Sequence, residues 1–144
     1  MSFDDEFALI RRLTQHLETN PDVIVGIGDD AAVTRISAGC DLVSTTDAMV
    51  ERVHFLRETL SPYDIGWKAM AANLSDVAAM GAVPRFALAA LAISPGWDLH
   101  SLTEIYRGMV ELAQRYGVVI IGGNVTSSPH ELMITITMLG EVEQ

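Results

Sequence analysis

The stretch Ser44-Thr45-Thr46-Asp47-Ala48-Met49-Val50-Glu51-Arg52-Val53-His54 joins a strand pattern to an acid and a histidine. Its β-branched, alternating residues predict a strand over residues 41–49, followed by a loop that carries His54. Alternate residues of a strand share one face, so Thr45 and Asp47 should point to the same side and Thr46 to the other. The strand therefore presents an acid and a hydroxyl together.

Two further acidic segments, Gly28-Asp29-Asp30 and Asn73-Leu74-Ser75-Asp76, lie on either side of this strand in the sequence. Each acid also has an ordinary interpretation: a glycine-aspartate turn, a turn cap at Asp47, or exposure on the outer face of a helix. An unpaired carboxylate in an apolar or glycine-rich context is costly, and a cation is its natural partner. We therefore expect the three segments to share magnesium ions that hold a nucleotide triphosphate.

The pattern around the central stretch predicts an α+β fold. Helices are expected at residues 4–18, 63–80 and 101–116, and strands at residues 31–36, 41–49, 86–93, 118–121 and 132–142. The first two strands should form a hairpin, the third should be buried on both faces, and Ser101 to Glu104 should form a capping box. This order favours a mixed β-sheet with helices packed on one side. The threonine-bearing face of the last strand favours a homodimer in which the sheets of two subunits pair.

Composition narrows the possible functions. A length of 144 residues suits one domain, 1–144, and no apolar run approaches the roughly 20 residues of a membrane-spanning helix. The net charge is −10 and Lys68 is the only lysine, which argues against nucleic-acid binding. The single cysteine, Cys40, and the absence of a visible signal peptide lead us to expect a cytoplasmic protein.

Three segments together resemble a known family. They are Gly26-Ile-Gly-Asp-Asp-Ala-Ala-Val33, Ser44-Thr-Thr-Asp-Ala-Met-Val-Glu-Arg-Val-His-Phe55 and Asn73-Leu-Ser-Asp-Val-Ala-Ala-Met-Gly-Ala-Val-Pro84. In this order and spacing they are similar to the thiamine-monophosphate kinases of the aminoimidazole ribonucleotide synthetase superfamily. The resemblance covers essentially the whole chain and corresponds to the ATP- and magnesium-binding N-terminal domain of a two-domain kinase, whose C-terminal domain is absent here.

The resemblance implies a role for each matching residue. Magnesium would be bound by Asp30, Thr45, Thr46, Asp47, Asp76 and Asn124, with Asp29 adjacent to the first of them. His54 would contact thiamine monophosphate, and Tyr106, Gly123 and Asn124 would contact ATP. The family usually has Gly-Gly-Asp-Thr where this chain has Gly122-Gly123-Asn124-Val125. Because an amide offers a carbonyl oxygen without a charge, we expect weaker metal binding at that one position.

The implied reaction transfers a phosphoryl group from ATP to thiamine monophosphate, in line and without a covalent nucleophile on the enzyme. One alternative is another ATP-dependent enzyme of the superfamily, such as a hydrogenase maturation factor or selenophosphate synthetase. The latter uses a reactive cysteine or selenocysteine in an N-terminal glycine-rich segment, and residues 1–25 contain neither. The other alternative is a non-catalytic dimerisation or nucleotide-binding module. We expect the 144-residue chain by itself to turn over poorly.

Overall fold

The computed structural model describes residues 3–144, with side chains from Phe7 onward. Its helices and strands follow one another as α1 (Phe3–Thr14), β1 (Val23–Val25), β2 (Val33–Thr34), β3 (Cys40–Val50), α2 (Pro62–Ala79), β4 (Val83–Ile93), α3 (Leu99–Arg115), β5 (Val119–Ser127) and β6 (Met133–Glu143). None of the helices in the described part of the chain is long and apolar enough to cross a bilayer.

Four strands form one mixed sheet in the order β3-β6-β4-β5. The β4–β5 pair is parallel, whereas β3–β6 and β4–β6 are antiparallel. The predicted α+β class with a mixed sheet is confirmed. The predicted hairpin over residues 31–49 is wrong, because β2 pairs with β1 in a separate two-stranded ribbon. Strand β3 pairs instead with β6 over its full eleven residues, from Cys40–Glu143 to Val50–Met133.

Helices α2 and α3 cover one face of the sheet, and the alternation of β6 follows from this. Ile134, Ile136 and Met138 are fully buried beneath the helices, while Thr135 and Thr137 lie half-buried on the opposite face. Strand β4 alternates in the same way after Phe86, which is buried: Ala87, Ala89 and Leu91 are buried, and Leu88, Ala90 and Ala92 are half-buried. The prediction that this strand is buried on both faces is therefore wrong for this chain, because no described helix covers its second face.

The starts of the two long helices have different local causes. Ser61 caps α2 by accepting a hydrogen bond from Asp64 N at 3.1 Å, and Pro62 stands at the first helical position. In α3 the cap is Asp98, whose Oδ1 accepts from Ser101 N at 2.8 Å. The predicted capping box at Ser101–Glu104 is wrong, because the helix already begins after Asp98, which accepts from Ser101 N, and the Glu104 carboxylate bonds Arg107 instead.

Helices α2 and α3 approach each other closely because two glycines face the contact. A Cβ on Gly66 would lie 1.9 Å from Ile105 O, and a Cβ on Gly108 would lie 2.1 Å from Tyr63 O. On the outer side of this contact, the Arg107 guanidinium stacks 4.3 Å from the centre of the Tyr63 ring. Helices α2 and α3 together cover the core, and their contact fixes the position of the α2 side chains that face β3.

A buried ion pair ties the β1–β2 ribbon to the large sheet. Glu141 on β6 is only 6% exposed, and its Oε2 lies 2.6 Å from Arg85 Nη1. Ser37 donates to the same carboxylate from its N and its Oγ, and Arg85 also pairs with Asp22. Burial alone would raise the pKa of Glu141, but the Ser37 hydrogen bonds and the Arg85 charge outweigh it and the pKa is lowered.

Replacing Arg85 with methionine should lower the free energy of unfolding by about 2 kcal/mol at neutral pH, because Glu141 is left buried with one charged partner removed. A lowered pKa in the folded state stabilises the fold above the unfolded pKa, about 4.3 for glutamate. This contribution disappears as the pH falls through the folded-state pKa. Urea unfolding between about pH 7 and pH 3 should therefore show the free energies of unfolding of the parent and the variant converging in acid.

The control is Arg35→Met, which removes an exposed charge. It should leave the free energy of unfolding at neutral pH within about 0.5 kcal/mol of the parent. Equal effects of both substitutions would contradict this account.

Candidate functional site

The predicted nucleotide-binding residues line one large cavity. Its volume is about 1150 Å³, and it lies between α1, the loop of residues 26–32 and strand β5. Asp29, Asp30, Tyr106, Gly123 and Asn124 all contribute to its wall. The sequence places these residues in three separate segments, and the fold brings them to one cavity.

The loop that carries Asp29 and Asp30 is shaped by its own backbone. Gly28 has a φ of 116°, a conformation that glycine adopts readily, and Asp29 Oδ1 accepts a hydrogen bond from Asp30 N at 2.9 Å. Both aspartates are exposed, and no described basic side chain forms an ion pair with either of them. Their carboxylates can therefore accept a cation from the cavity.

Tyr106 gives the cavity a neutral hydrogen-bonding group. It projects from α3, is 6% exposed, and burial raises the pKa of its phenol to about 12. The hydroxyl consequently keeps its proton at neutral pH and can donate one hydrogen bond to a bound ligand. An aromatic ring in this position also offers a flat apolar surface.

Gly123 and Asn124 lie within a strand, and the predicted end of that strand at residue 121 is wrong. Strand β5 continues to Ser127 because β4 offers a parallel partner along its whole length, with Ala89 opposite Gly123. A Cβ on Gly123 would lie 1.8 Å from Ala89 O, so only glycine fits this close approach. Strand β5 is at the edge of the sheet, and an edge strand leaves alternate N–H groups free for a ligand.

A second group of predicted residues lies at the opposite edge of the sheet. Thr45 Oγ1 donates to Asp76 Oδ2 at 3.0 Å, which joins strand β3 to helix α2. Asp47 is on the same face as Thr45, since the two pair with Ile136 and Met138, both buried beneath the helices. As expected, Thr46 points to the other face, where its Oγ1 lies 3.0 Å from Thr137 Oγ1.

The two groups are separate in this chain. Strands β3 and β5 are the outer strands of the sheet, roughly 14 Å apart at about 4.8 Å per strand. Among the side chains described, those of residues 7–144, no three from histidine, cysteine, aspartate or glutamate come together as a metal-binding group. The donor chemistry nevertheless fits magnesium, because carboxylates, hydroxyls and an amide carbonyl are all hard oxygen ligands. Asp30 belongs to the cavity group, and Asp47 and Asp76 belong to the β3–α2 group.

His54 lies beyond the end of β3 in a tight turn. Its Nδ1 accepts a hydrogen bond from Val50 N at 3.0 Å, and its carbonyl oxygen accepts from Lys68 Nζ at 2.6 Å. The neighbouring Glu51 accepts from Trp97 Nε1 at 3.0 Å and from Leu132 N at 3.1 Å. Sequence reasoning did not identify Lys68, Glu51 or Trp97 as parts of the site. The one available sign was that Lys68 is the single lysine of an acidic chain.

Comparisons with known proteins identify the family of this chain. The sequence profile described as AIR synthase related protein, N-terminal domain, matches residues 28–142. The thiamine-monophosphate kinase of Bacillus subtilis is 44% identical over 140 residues, which cover 97% of this chain and 43% of that protein. The chain thus spans less than half the length of this relative.

Solved structures give the same relationship in three dimensions. The thiamine-monophosphate kinase of Stenotrophomonas maltophilia superimposes with a TM-score of 0.81 at 40% identity, covering 96% of this chain and 42% of that one. AaThiL in complex with AMPPCP and TMP has a TM-score of 0.70 at 33% identity, covering 100% of this chain and 45% of that one. The hydrogenase maturation protein HypE in complex with ATP has a TM-score of 0.72 at 26% identity, covering 94% and 40%. This chain belongs to the family of AIR synthase related protein N-terminal domains.

Proposed function

We propose that this chain is the N-terminal, ATP- and magnesium-binding domain of a thiamine-monophosphate kinase, acting in thiamine diphosphate biosynthesis. The observation that carries the proposal is that Asp30, Tyr106, Gly123 and Asn124, to which the family resemblance gives nucleotide- and metal-binding roles, line one cavity. The similarity to AaThiL, whose complex holds AMPPCP and TMP, supports the choice of ligands. We place the reaction in the cytoplasm, where the one cysteine, Cys40, would stay reduced.

In the proposed reaction the acceptor is already a phosphate anion, so this chain needs no strong base to create a nucleophile. The difficulty is bringing two anionic groups together, and bound magnesium would supply the positive charge that screens them and stabilises the transferring phosphoryl group. Asp47 and Asp76 would hold magnesium at the β3 edge together with Thr45, and Asp30 would hold magnesium in the cavity together with Asn124. Thr46, whose side chain lies on the other face of β3, would add only its backbone oxygen. Tyr106 and the free N–H groups beside Gly123 would orient the nucleotide. His54 would contact thiamine monophosphate.

Sequence identity and one assay distinguish the kinase from the two alternatives, which are another ATP-dependent enzyme of the superfamily and a non-catalytic module. The identity to the B. subtilis kinase is 44%, against 26% to HypE with ATP, which favours the thiamine-phosphate branch. A turnover assay with ATP and thiamine monophosphate, run beside a magnesium-dependent ATP titration, distinguishes the alternatives. Turnover supports the kinase, binding without turnover supports a nucleotide-binding module, and neither result supports a scaffold.

We further propose that the chain forms a homodimer through the sheet face that the helices leave uncovered. This face carries small, half-buried residues such as Ala90, Thr135 and Thr137, and a second sheet could cover it. Ala90→Arg should convert a dimer into a monomer in sedimentation velocity, because a charged side chain would stand in the middle of the paired face. The matched control is Ala78→Arg on the exposed side of α2, which should stay dimeric. A monomeric parent protein would contradict the proposal.

A further inference from the structure

The turn after β3 holds His54 through a dense set of backbone hydrogen bonds. His54 N donates to Val50 O at 2.9 Å, and Arg52 N donates to Phe55 O at 2.7 Å. Arg52 has a φ of 68°, which is unfavourable for a residue other than glycine, and the buried Phe55 anchors the far end of the turn. Since the backbone accepts this unfavourable conformation, contacts from outside the turn must help to maintain it.

The imidazole of His54 is held in one tautomer. Its Nδ1 accepts the hydrogen bond from Val50 N at 3.0 Å, so this nitrogen carries a lone pair and no proton. In a neutral ring the proton then sits on Nε2. The exposed ring therefore presents a single N–H donor to an approaching ligand.

Lys68 connects this turn to the core of the domain. Its Nζ donates to His54 O at 2.6 Å, across 14 residues of sequence. Lys68 stands on α2 directly before Ala69, which is 2% exposed, so the base of its side chain is attached to a helix packed on the sheet. Glu51 makes a second connection between the turn and the rest of the domain, because its carboxylate accepts hydrogen bonds from Trp97 Nε1 and Leu132 N. The His54 carbonyl itself is bonded to Lys68.

We propose that Lys68 is a positioning residue that holds the His54 turn against α2 and thereby fixes His54 as the Nε2–H tautomer facing its ligand. The ligand chemistry that this donor suits is a phosphate-bearing anion. Only the identity of that ligand, thiamine monophosphate, rests on the proposed function. If Lys68 is lost, the carbonyl of His54 loses its charged donor, the turn relaxes, and Val50 N no longer selects one ring nitrogen.

The test compares the parent chain with Lys68→Met and Lys68→Arg, each labelled with nitrogen-15 histidine. Long-range nitrogen–proton correlation spectra at about pH 8 report the tautomer of each neutral ring. His54→Gln identifies the signal, and the other three histidines serve as internal references. We expect the Nε2–H pattern for His54 in the parent, an averaged pattern of both tautomers in Lys68→Met, and recovery of the parent pattern in Lys68→Arg. A His54 pattern that does not change in Lys68→Met would overturn the inference.

A titration with thiamine monophosphate separates this inference from the proposed function. Lys68→Met should weaken binding about tenfold, and the double variant with His54→Gln should bind no more weakly than His54→Gln alone, because both changes disable the same donor. Additive losses would show that Lys68 contacts the ligand directly and would overturn the positioning role. If the parent chain binds no thiamine monophosphate while the tautomer changes as expected, the proposed substrate fails and the positioning role stands.

Discussion

Replacing Asp76 with asparagine should weaken magnesium-dependent binding of AMPPCP by at least about 100-fold. Asp76 Oδ2 accepts a hydrogen bond from Thr45 Oγ1 at 3.0 Å, so the carboxylate is already oriented beside a second oxygen ligand. Asparagine keeps the shape of the side chain and removes only its charge, and thus loses the attraction for a divalent cation. Calorimetric titration of the analogue at several magnesium concentrations measures the effect, which should be largest where magnesium is limiting.

The matched control for this prediction is Asp41→Asn. Asp41 is an exposed acid at the other end of β3, bonded to the side chain of Gln144. Its substitution changes the net charge by the same amount and should leave binding within about twofold, since screening weakens distant surface charges. Equal affinities of the parent and Asp76→Asn at limiting magnesium would remove Asp76 from the metal site. Because Asp76 is exposed, the variant should unfold at the temperature of the parent.

Gly108→Val should lower the free energy of unfolding by about 4 kcal/mol. A Cβ at this position would lie 2.1 Å from Tyr63 O and 3.0 Å from Trp67 N, both backbone atoms of the facing helix. A backbone cannot rotate away as a flexible side chain can, so α2 and α3 would have to separate. Thermal unfolding followed by circular dichroism should show a midpoint roughly 15 °C lower than the parent.

Gln114→Val is the control for the effect of valine itself. Gln114 lies on the exposed side of α3, where a β-branched residue costs only about 0.5 kcal/mol in helix propensity. The difference between the two variants therefore isolates the steric conflict at the helix contact. If Gly108→Val unfolds within a few degrees of Gln114→Val, the close approach of the two helices is not what holds them together.

The separation of the site residues into two groups shapes how the proposed function should be tested. Tyr106 and Gly123 line the cavity along β5, while Thr45 and Asp76 meet at the β3 edge. A ligand that uses both groups must extend across the sheet or receive further contacts from a second polypeptide. Variants in the cavity and variants at the β3 edge should therefore be measured separately before they are combined.

Several features of the protein followed from local sequence patterns alone. A second helix beginning near residue 63, a last strand with a threonine-bearing face, and the opposite directions of Thr45 and Thr46 were predicted and are found in the structure. Each depends on neighbours within a few residues, because capping and strand alternation are properties of a short stretch of backbone. The three-segment similarity also identified the family without any coordinates.

Other features were decided only by tertiary structure. The pairing of β3 with β6 instead of β2, the extension of β5 through Asn124, and the bond from Lys68 to His54 all join residues that are distant in the sequence. The alternation of a strand predicts which of its faces is apolar, but it does not predict which neighbouring strand will form hydrogen bonds with it. That choice depends on the length and register of every competing strand, and so it is made only when the whole chain packs.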